Sequence, residues 1–168
     1  MTHMPSPNRR DLLACLSGGA AITFAAAVLP TGRSMAAAKP ATFQLSDAQW
    51  QQRLSPEGYA VLRKAATERP YSSPLNGEHR EGVFACAGCA LPLFASATKF
   101  DSGTGWPSFY DHLAHAVAER TDTDFGMMRT EVHCARCSGH LGHVFNDGPK
   151  PTGLRYCMNG AALRFSAA

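Results

Sequence analysis

The chain has 168 residues, of which 45% are hydrophobic and 17% charged, with a formal net charge of +3. This length is typical of one domain, and the composition supports a packed core and excludes wholesale disorder. The first 38 residues carry three arginines against one acid, which leaves 13 basic and 12 acidic residues in the remainder. Because that remainder is nearly neutral, we expect no nucleic-acid partner.

Residues 1–38 have the pattern of an export signal. Arg9 and Arg10 precede a weakly apolar run at 20–29, and the small residues 36–38 suit a signal peptidase. The paired arginines indicate the twin-arginine type, and so a periplasmic or otherwise exported protein. Because the apolar run is shorter than a membrane-spanning helix of about 20 residues, we expect no stable membrane association. An Ala-rich disordered N-terminus is the alternative interpretation.

A linker at residues 39–45 precedes the predicted domain, which spans residues 46–168. Two short helices are expected at its start. The sequence Ser-Asp-Ala-Gln has the spacing of a capping box and predicts a helix at 47–53. A Ser-Pro pair then predicts a second helix at 56–68, ending before Pro70.

Beyond the helices the sequence changes to short runs of β-branched and aromatic residues separated by Gly, Pro, Asn and Asp. Several runs alternate apolar and polar residues, as half-buried antiparallel strands do. The pattern predicts a mainly β, α+β fold with short N-terminal helices. The predicted strands lie at 82–86, 99–100, 108–110, 114–120, 127–133, 141–145, 154–158 and 163–165.

Four of the six cysteines form two C-x-x-C pairs, Cys86 with Cys89 and Cys134 with Cys137, separated by 44 residues. Each pair places two sulfurs on one turn, and two such turns complete the four-thiolate shell that structural zinc prefers. Two local disulfides or a redox dithiol are the alternatives. A redox dithiol usually lies near a βαβ pattern, which this sequence lacks. We therefore predict a structural zinc ion whose closed shell leaves no position for substrate.

Cys157 remains outside both the leader and the two pairs. In an alternating strand, Arg155, Cys157 and Asn159 face the same side, and a nearby arginine lowers the pKa of a thiol. His140 and His143 lie upstream, and a thiol with a histidine is suited to nucleophilic or redox chemistry. An inert core cysteine and histidines without chemistry are the alternative interpretation.

Three ordered motifs resemble those of a known family. They are FDSGTGWPSF at 100–109, HLGHVF at 140–145 followed by Asp-Gly-Pro, and PTGLRYCMN at 151–159. With both C-x-x-C pairs, they make residues 43–165 similar to the B-type methionine-R-sulfoxide reductases. The resemblance implies reduction of methionine-R-sulfoxide, free or in proteins, as repair after oxidative damage. It also implies two antiparallel sheets, with the zinc remote from the active site.

The same resemblance implies a role for each residue around Cys157. The Cys157 thiolate would attack the sulfoxide sulfur and become a sulfenic acid, while a nearby acid protonates the departing oxygen. Trp106 would pack against the S-methyl group, a contact that offers about 1–3 kcal/mol of discrimination. The implied site comprises His143 and secondarily His140 on the oxygen, Asp147 to orient a histidine, Arg155 and Asn159 to organise the thiolate and bound polar groups, and Trp106 and Phe109 to bind substrate.

Thr104 departs from the family pattern, because many relatives carry a second, resolving cysteine at this position. The other cysteines are Cys15 in the leader and the predicted zinc ligands. We therefore predict that an external thiol, such as a thioredoxin-like partner, reduces oxidised Cys157. A zinc-ribbon-like binding or scaffold module is the alternative from another functional class. It explains the paired cysteines but not the motif around Cys157.

Overall fold

The computed structural model describes residues 42–168, so the expected export signal at 1–38 lies outside the described residues. In this part of the chain, short strands form two antiparallel sheets, and the two α-helices lie at its N-terminal end. The predicted mainly β fold with two sheets is therefore confirmed. Neither of these helices is long and apolar enough to cross a membrane.

The two helices begin where the sequence predicts. Helix α1 (Asp47–Arg53) starts with a complete capping box between Ser46 and Gln49. Helix α2 (Pro56–Lys64) follows a serine cap with proline in the first turn. It ends four residues earlier than predicted, because Ala65 adopts a left-handed backbone conformation with φ of 54°. An irregular segment follows, and Thr67 within it lines the cavity described below.

The smaller sheet has the strand order β2-β1-β9. Its strands are β1 (Gly82–Cys86), β2 (Pro92–Ala95) and β9 (Leu163–Ala167), and all pairings are antiparallel. Strand β2 was not predicted, because its four residues carry no clear alternation and begin with proline. A proline is tolerated there, since it is the first residue of an edge strand.

The larger sheet has the strand order β3-β4-β8-β7-β6-β5. Strand β8 lies in its interior, where Cys157 pairs with Ser108 on one side and with His143 on the other. The register therefore brings a histidine directly beside the candidate nucleophile. The strands are β3 (Lys99–Phe100), β4 (Ser108–Phe109), β5 (Val117–Asp122), β6 (Arg129–Cys134), β7 (His140–Phe145) and β8 (Arg155–Met158).

Aromatic side chains join the two sheets in the core. The rings of Phe94 on β2 and Phe109 on β4 stack with centroids 4.4 Å apart. Phe84 on β1 meets Phe109 edge-on, with centroids 5.0 Å apart. All three side chains are fully buried, and such aromatic pairs contribute about 0.5–1.5 kcal/mol beyond their buried area. This contact holds β4, and with it one flank of β8, against the smaller sheet.

Candidate active site and candidate metal centre

Two turns of matching geometry carry the paired cysteines. In each turn the residue after the second cysteine, Ala90 or Ser138, has a left-handed backbone with φ of 58° or 55°. Its N–H donates a 2.9 Å hydrogen bond to the carbonyl of the first cysteine, Cys86 or Cys134. The same local structure is thus built twice from the repeated C-x-x-C spacing.

The four sulfur atoms of these turns lie within 4.8 Å of one another, and all four residues are buried. The sulfur of Cys86 is 3.7 Å from that of Cys137, and the sulfur of Cys89 is 3.5 Å from that of Cys134. A tetrahedral shell with Zn–S bonds of about 2.3 Å needs sulfurs about 3.8 Å apart. The cluster could therefore hold a metal ion of this kind with four sulfur ligands.

If all four closely packed cysteines lose their protons, their negative charge must be balanced. Hydrogen bonds with the neighbouring thiols, that of Cys134 first, together with burial, raise the pKa of Cys86. Four buried thiolates cannot lie this close without a positive charge to offset their repulsion. A divalent metal supplies that charge and deprotonates coordinating thiols.

The candidate metal centre links the two sheets. Cys86 is the last residue of β1 in the smaller sheet, and Cys134 is the last residue of β6 in the larger one. Arg129, at the other end of β6, lines the cavity described below. Five residue steps along the strand separate the two ends, which is about 17 Å. A metal at this centre would therefore tie the sheets together at a distance from Cys157.

Cys157 lies half-buried on β8, and its surroundings act on the pKa of its thiol in opposite directions. Burial raises the pKa of this thiol, while a hydrogen bond with Thr104 and the positive charge of Arg155 act in the other direction. The Thr104 oxygen is 3.9 Å from the sulfur. Burial thus favours the protonated thiol, while Thr104 and Arg155 are in place to stabilise the thiolate.

Arg155 is held beside Cys157 by Asp147. Its Nε and Nη2 each donate a 2.8 Å hydrogen bond to a different carboxylate oxygen of Asp147. The guanidinium also lies 4.4 Å from the ring centroid of Phe145. The family resemblance implied that Asp147 orients a histidine. In the structure it binds Arg155, because β7 and β8 pair Phe145 with Arg155, so the residue two positions later reaches the arginine.

The two histidines have carboxylate partners that sequence reasoning missed. Nε2 of His143 lies 2.7 Å from Oδ2 of Asp122, and Nδ1 of His140 lies 2.7 Å from Oε1 of Glu131. Hydrogen bonds from the backbone of Asp124 and from His143 lower the pKa of Asp122 to about 2. A carboxylate that stays ionised can fix the orientation of its histidine. Acidic residues at these positions were visible in the sequence, but only the strand order pairs them with histidines.

His140 is more enclosed than His143. Burial lowers the pKa of His140, which favours the neutral imidazole despite the neighbouring Glu131. Its Nε2 atom has no hydrogen-bond partner among the described residues. The ring lies 5.5 Å from that of His143, measured between centroids, in an edge-on contact. His140 therefore supports the position of His143.

A cavity of about 170 Å³ opens over Cys157. It is smaller than the 300–1,000 Å³ typical of sites for drug-sized ligands, so it suits a single side chain. Four of the predicted site residues line it. Arg155, on β8, and Asp147, in the loop after β7, lie beside Cys157 without lining the cavity. His140 and Phe109 do not line it, and Phe109 lies in the core between the sheets. The predicted lining residues are Cys157, His143, Trp106 and Asn159, joined by Thr67, Arg129, Gly142 and Phe145.

Asn159 and Trp106 are fixed in the cavity wall by hydrogen bonds. The Asn159 side chain accepts from the N–H of Glu68 at 2.9 Å and donates to the carbonyl of Leu141 at 3.0 Å. The indole N–H of Trp106 donates to the carbonyl of Glu68 at 3.2 Å. These bonds place Asn159 in the wall itself, and its role in binding polar groups stays a prediction. Glu68 was not predicted, since nothing in its local sequence marks it.

Comparison with known proteins gives concordant matches. Residues 54–167 match the SelR domain. A protein of Thiobacillus denitrificans named Peptide methionine sulfoxide reductase MsrB is 60% identical over 121 residues, which cover 71% of this chain and 92% of that protein. Proteins of the same name from Bradyrhizobium diazoefficiens and Agrobacterium fabrum are 59% and 53% identical. Their matches cover 71% of this chain and, respectively, 86% and 90% of those proteins.

Proposed function

Since the chain belongs to the SelR domain family and is a peptide methionine sulfoxide reductase, we propose that it reduces the R epimer of methionine sulfoxide through Cys157. The oxidoreductase class predicted from the motifs is confirmed by this membership. The epimer, the residue roles and the reductant are the proposal. One observation carries it: Cys157 is the one cysteine among the described residues that is not buried, and it lines the cavity beside His143, whereas the other four form the buried cluster.

In the proposed reaction the Cys157 thiolate attacks the sulfoxide sulfur. This attack forms a sulfur–sulfur bond, and the sulfur–oxygen bond of the substrate breaks as the oxygen takes up a proton from a nearby acid. The sulfur–sulfur bond breaks in turn, so that the oxygen ends on Cys157 as a sulfenic acid and the thioether is released. The substrate gains two electrons and Cys157 loses two, so no other oxidant is needed. Arg155 and Thr104 stabilise the thiolate against the effect of burial.

His143 is the proposed hydrogen-bond donor to the sulfoxide oxygen. It lines the cavity beside Cys157, and the ionised Asp122 holds its Nε2 atom. An acid positioned on the departing oxygen contributes typically 10²–10⁴-fold to a rate. A histidine whose position is fixed by a carboxylate is suited to that role.

Trp106 and Phe145 supply the apolar side of the cavity, where the S-methyl group would lie. Polar side chains, among them Arg129 and His143, also line this cavity and could meet the oxygen. A sulfoxide sulfur carries an oxygen, a methyl group and the rest of the side chain, so a site with distinct places for all three selects one epimer. Hydrogen bonds to the oxygen contribute to this choice, because a methyl contact alone discriminates by only about 1–3 kcal/mol.

Regeneration of Cys157 is proposed to use an external dithiol, such as a thioredoxin-like protein. One thiol of the partner attacks the sulfenic acid and displaces water, and its second thiol then resolves the mixed disulfide. Thr104 supports this route, because it occupies the place beside Cys157 where a resolving cysteine would act. The substrate is proposed to be methionine sulfoxide, free or in oxidised proteins that the reaction repairs.

The four-cysteine cluster is proposed to bind Zn²⁺ as a structural ion. The sulfur distances match a tetrahedral shell, and four thiolates fill it completely. The ion would hold the two sheets together and take no part in the chemistry at Cys157.

The export signal is also retained as a proposal. Residues 1–38 carry the paired arginines, the apolar run and the small residues of a twin-arginine signal. Twin-arginine transport moves folded proteins, so the metal would be bound before export. The N-terminal sequence of the exported protein tests this: a start near residue 39 is expected, and a start near Met1 would refute it.

The deciding experiment measures reduction of each sulfoxide epimer by the purified protein with dithiothreitol as reductant. Reduction of the R epimer alone is expected for the wild type, and its loss in Cys157→Ser, with the zinc content unchanged. A Cys157→Ser variant that keeps its activity would contradict the proposal. An inactive but zinc-loaded wild type would instead favour the binding or scaffold module.

A further inference from the structure

Glu68 joins two walls of the cavity through its backbone. Its N–H donates to the side-chain oxygen of Asn159 at 2.9 Å, and its carbonyl accepts from the indole of Trp106 at 3.2 Å. The preceding residue, Thr67, lines the cavity itself. Thr67, Trp106 and Asn159, which all line the cavity, therefore meet at the backbone of Glu68.

The carboxylate of Glu68 ties this backbone to the end of β8. Its Oε1 atom accepts from the N–H of Gly160 at 2.6 Å, and its Oε2 atom accepts from the N–H of Ala161 at 2.8 Å. These two amides follow Cys157 by three and four residues in the chain. Glu68 lies in an irregular segment after α2, and its carboxylate anchors that segment to the chain that follows β8.

The environment of Glu68 is unusual for an ionisable residue. It is 6% exposed, and no described Lys, Arg or His forms an ion pair with it. Burial raises the pKa of its carboxyl, and the amides of Ala161 and Gly160 act in the other direction. A buried carboxylate costs free energy unless it is well hydrogen-bonded. Both carboxylate oxygens accept hydrogen bonds from backbone amides, so Glu68 serves to fix the position of the backbone.

We propose that Glu68 is a positioning residue that sets the placement of Trp106 and Asn159 and so determines how closely the cavity fits the S-methyl group. The inference rests on the proposed function and names a residue on which the specificity of that same cavity depends. None of the hydrogen bonds of Glu68 is to Cys157, so it acts through the two wall residues.

The expected kinetic signature follows from the contact that Trp106 makes. The indole packs against the methyl group in both the bound substrate and the transition state. Loss of such uniform binding raises KM and leaves kcat nearly unchanged. The thiol of Cys157 should keep its reactivity, since Thr104 and Arg155 are not among the partners of Glu68.

The test compares Glu68→Gln and Glu68→Ala with the wild type. Glutamine keeps the size of the side chain, but its amide nitrogen cannot accept from a backbone N–H, so one of the two amide contacts is lost. The substrates are the R epimers of N-acetylmethionine sulfoxide and of its S-ethyl analogue. Each variant is expected to raise KM for the methyl substrate about tenfold, with a smaller preference for methyl over ethyl. The rate of iodoacetamide alkylation of Cys157 should stay at the wild-type value.

Glu57→Gln is the matched control. Glu57 lines the same surface groove as Glu68 but is exposed, so this substitution should leave KM and the methyl preference unchanged. A Glu68→Gln variant with wild-type KM and wild-type methyl preference would overturn the inference. So would a loss of kcat accompanied by altered alkylation of Cys157. If Glu68→Ala does not fold, the glutamine variant decides. Failure of the wild type to reduce either substrate would instead refute the proposed function.

Discussion

The hydroxyl oxygen of Thr104 lies 3.9 Å from the sulfur of Cys157. The loop that carries Thr104 is bent by Gly103 and Gly105, which have left-handed φ values of 69° and 90°. Tyr71 closes the loop by bonding to the carbonyls of both glycines. Residue 104 is thus held facing the nucleophile, although threonine cannot form a disulfide with it.

The first prediction restores a thiol at that position. Wild-type protein treated with substrate in the absence of reductant should gain one oxygen at Cys157. The Thr104→Cys variant should instead lose two hydrogens, because its new thiol can attack the sulfenic acid and form an S–S bond of about 2.05 Å. Intact mass spectrometry distinguishes the products, and Thr104→Ser is the control. An internal disulfide involving Cys157 in the wild type would contradict the external-thiol cycle.

The second prediction concerns the partner of His143. Asp122→Asn should lower kcat on the order of 10²-fold, because the amide no longer stabilises a protonated imidazole in the correct orientation. The pKa of Asp122 is about 2, so the wild type should keep this interaction across the working pH range.

Asp147→Asn is the comparison for that measurement. Asp147 binds Arg155, so its loss should slow alkylation of Cys157 by iodoacetamide, whereas Asp122→Asn should not. Equal effects of both variants on alkylation would show that the two carboxylates do not act on separate groups.

The third prediction is the pH dependence of Cys157 in the free protein. Burial raises the pKa of this thiol, so the thiolate fraction and the alkylation rate should increase with pH into the alkaline range. The charge of Arg155 lowers the same pKa, so Arg155→Met should move the midpoint to higher pH. Arg155→Lys keeps the charge and should move it less. If the alkylation rate had its midpoint at a pH below the ordinary pKa range of cysteine, the inferred environment of Cys157 would be contradicted.

The fourth prediction is that metal removal destabilises the fold. Cys86 and Cys134 belong to different sheets, so a bound ion should link the two sheets in the folded state. Binding to the folded state alone should stabilise it by about 4 kcal/mol when free zinc is 1,000 times its Kd. A chelator should lower Tm, and added zinc should restore it. Cys157→Ser, which leaves the cluster intact, should respond in the same way as the wild type. A metal-free protein with unchanged Tm would refute a structural role for the ion.

Much of the fold could be predicted because its signals are local. The capping box predicted α1 at the residues where it lies, since Ser46 and Gln49 satisfy each other within one turn. The end of α2 was predicted four residues late, because a left-handed Ala65 has no sequence marker. Strand β2 was missed because its edge position depends on pairing with β1.

The sequence by itself determined the chemistry that depends on spacing: two C-x-x-C turns, a lone Cys157 with Arg155 two residues away, and threonine at position 104. Only the tertiary structure decided which groups act on one another. It pairs Asp122 with His143, Asp147 with Arg155 and Glu68 with Asn159, and it places Phe109 in the core. The physical reason is that turn geometry depends on neighbouring residues, whereas contacts such as that between Glu68 and Asn159, 91 positions apart, depend on strand order and register.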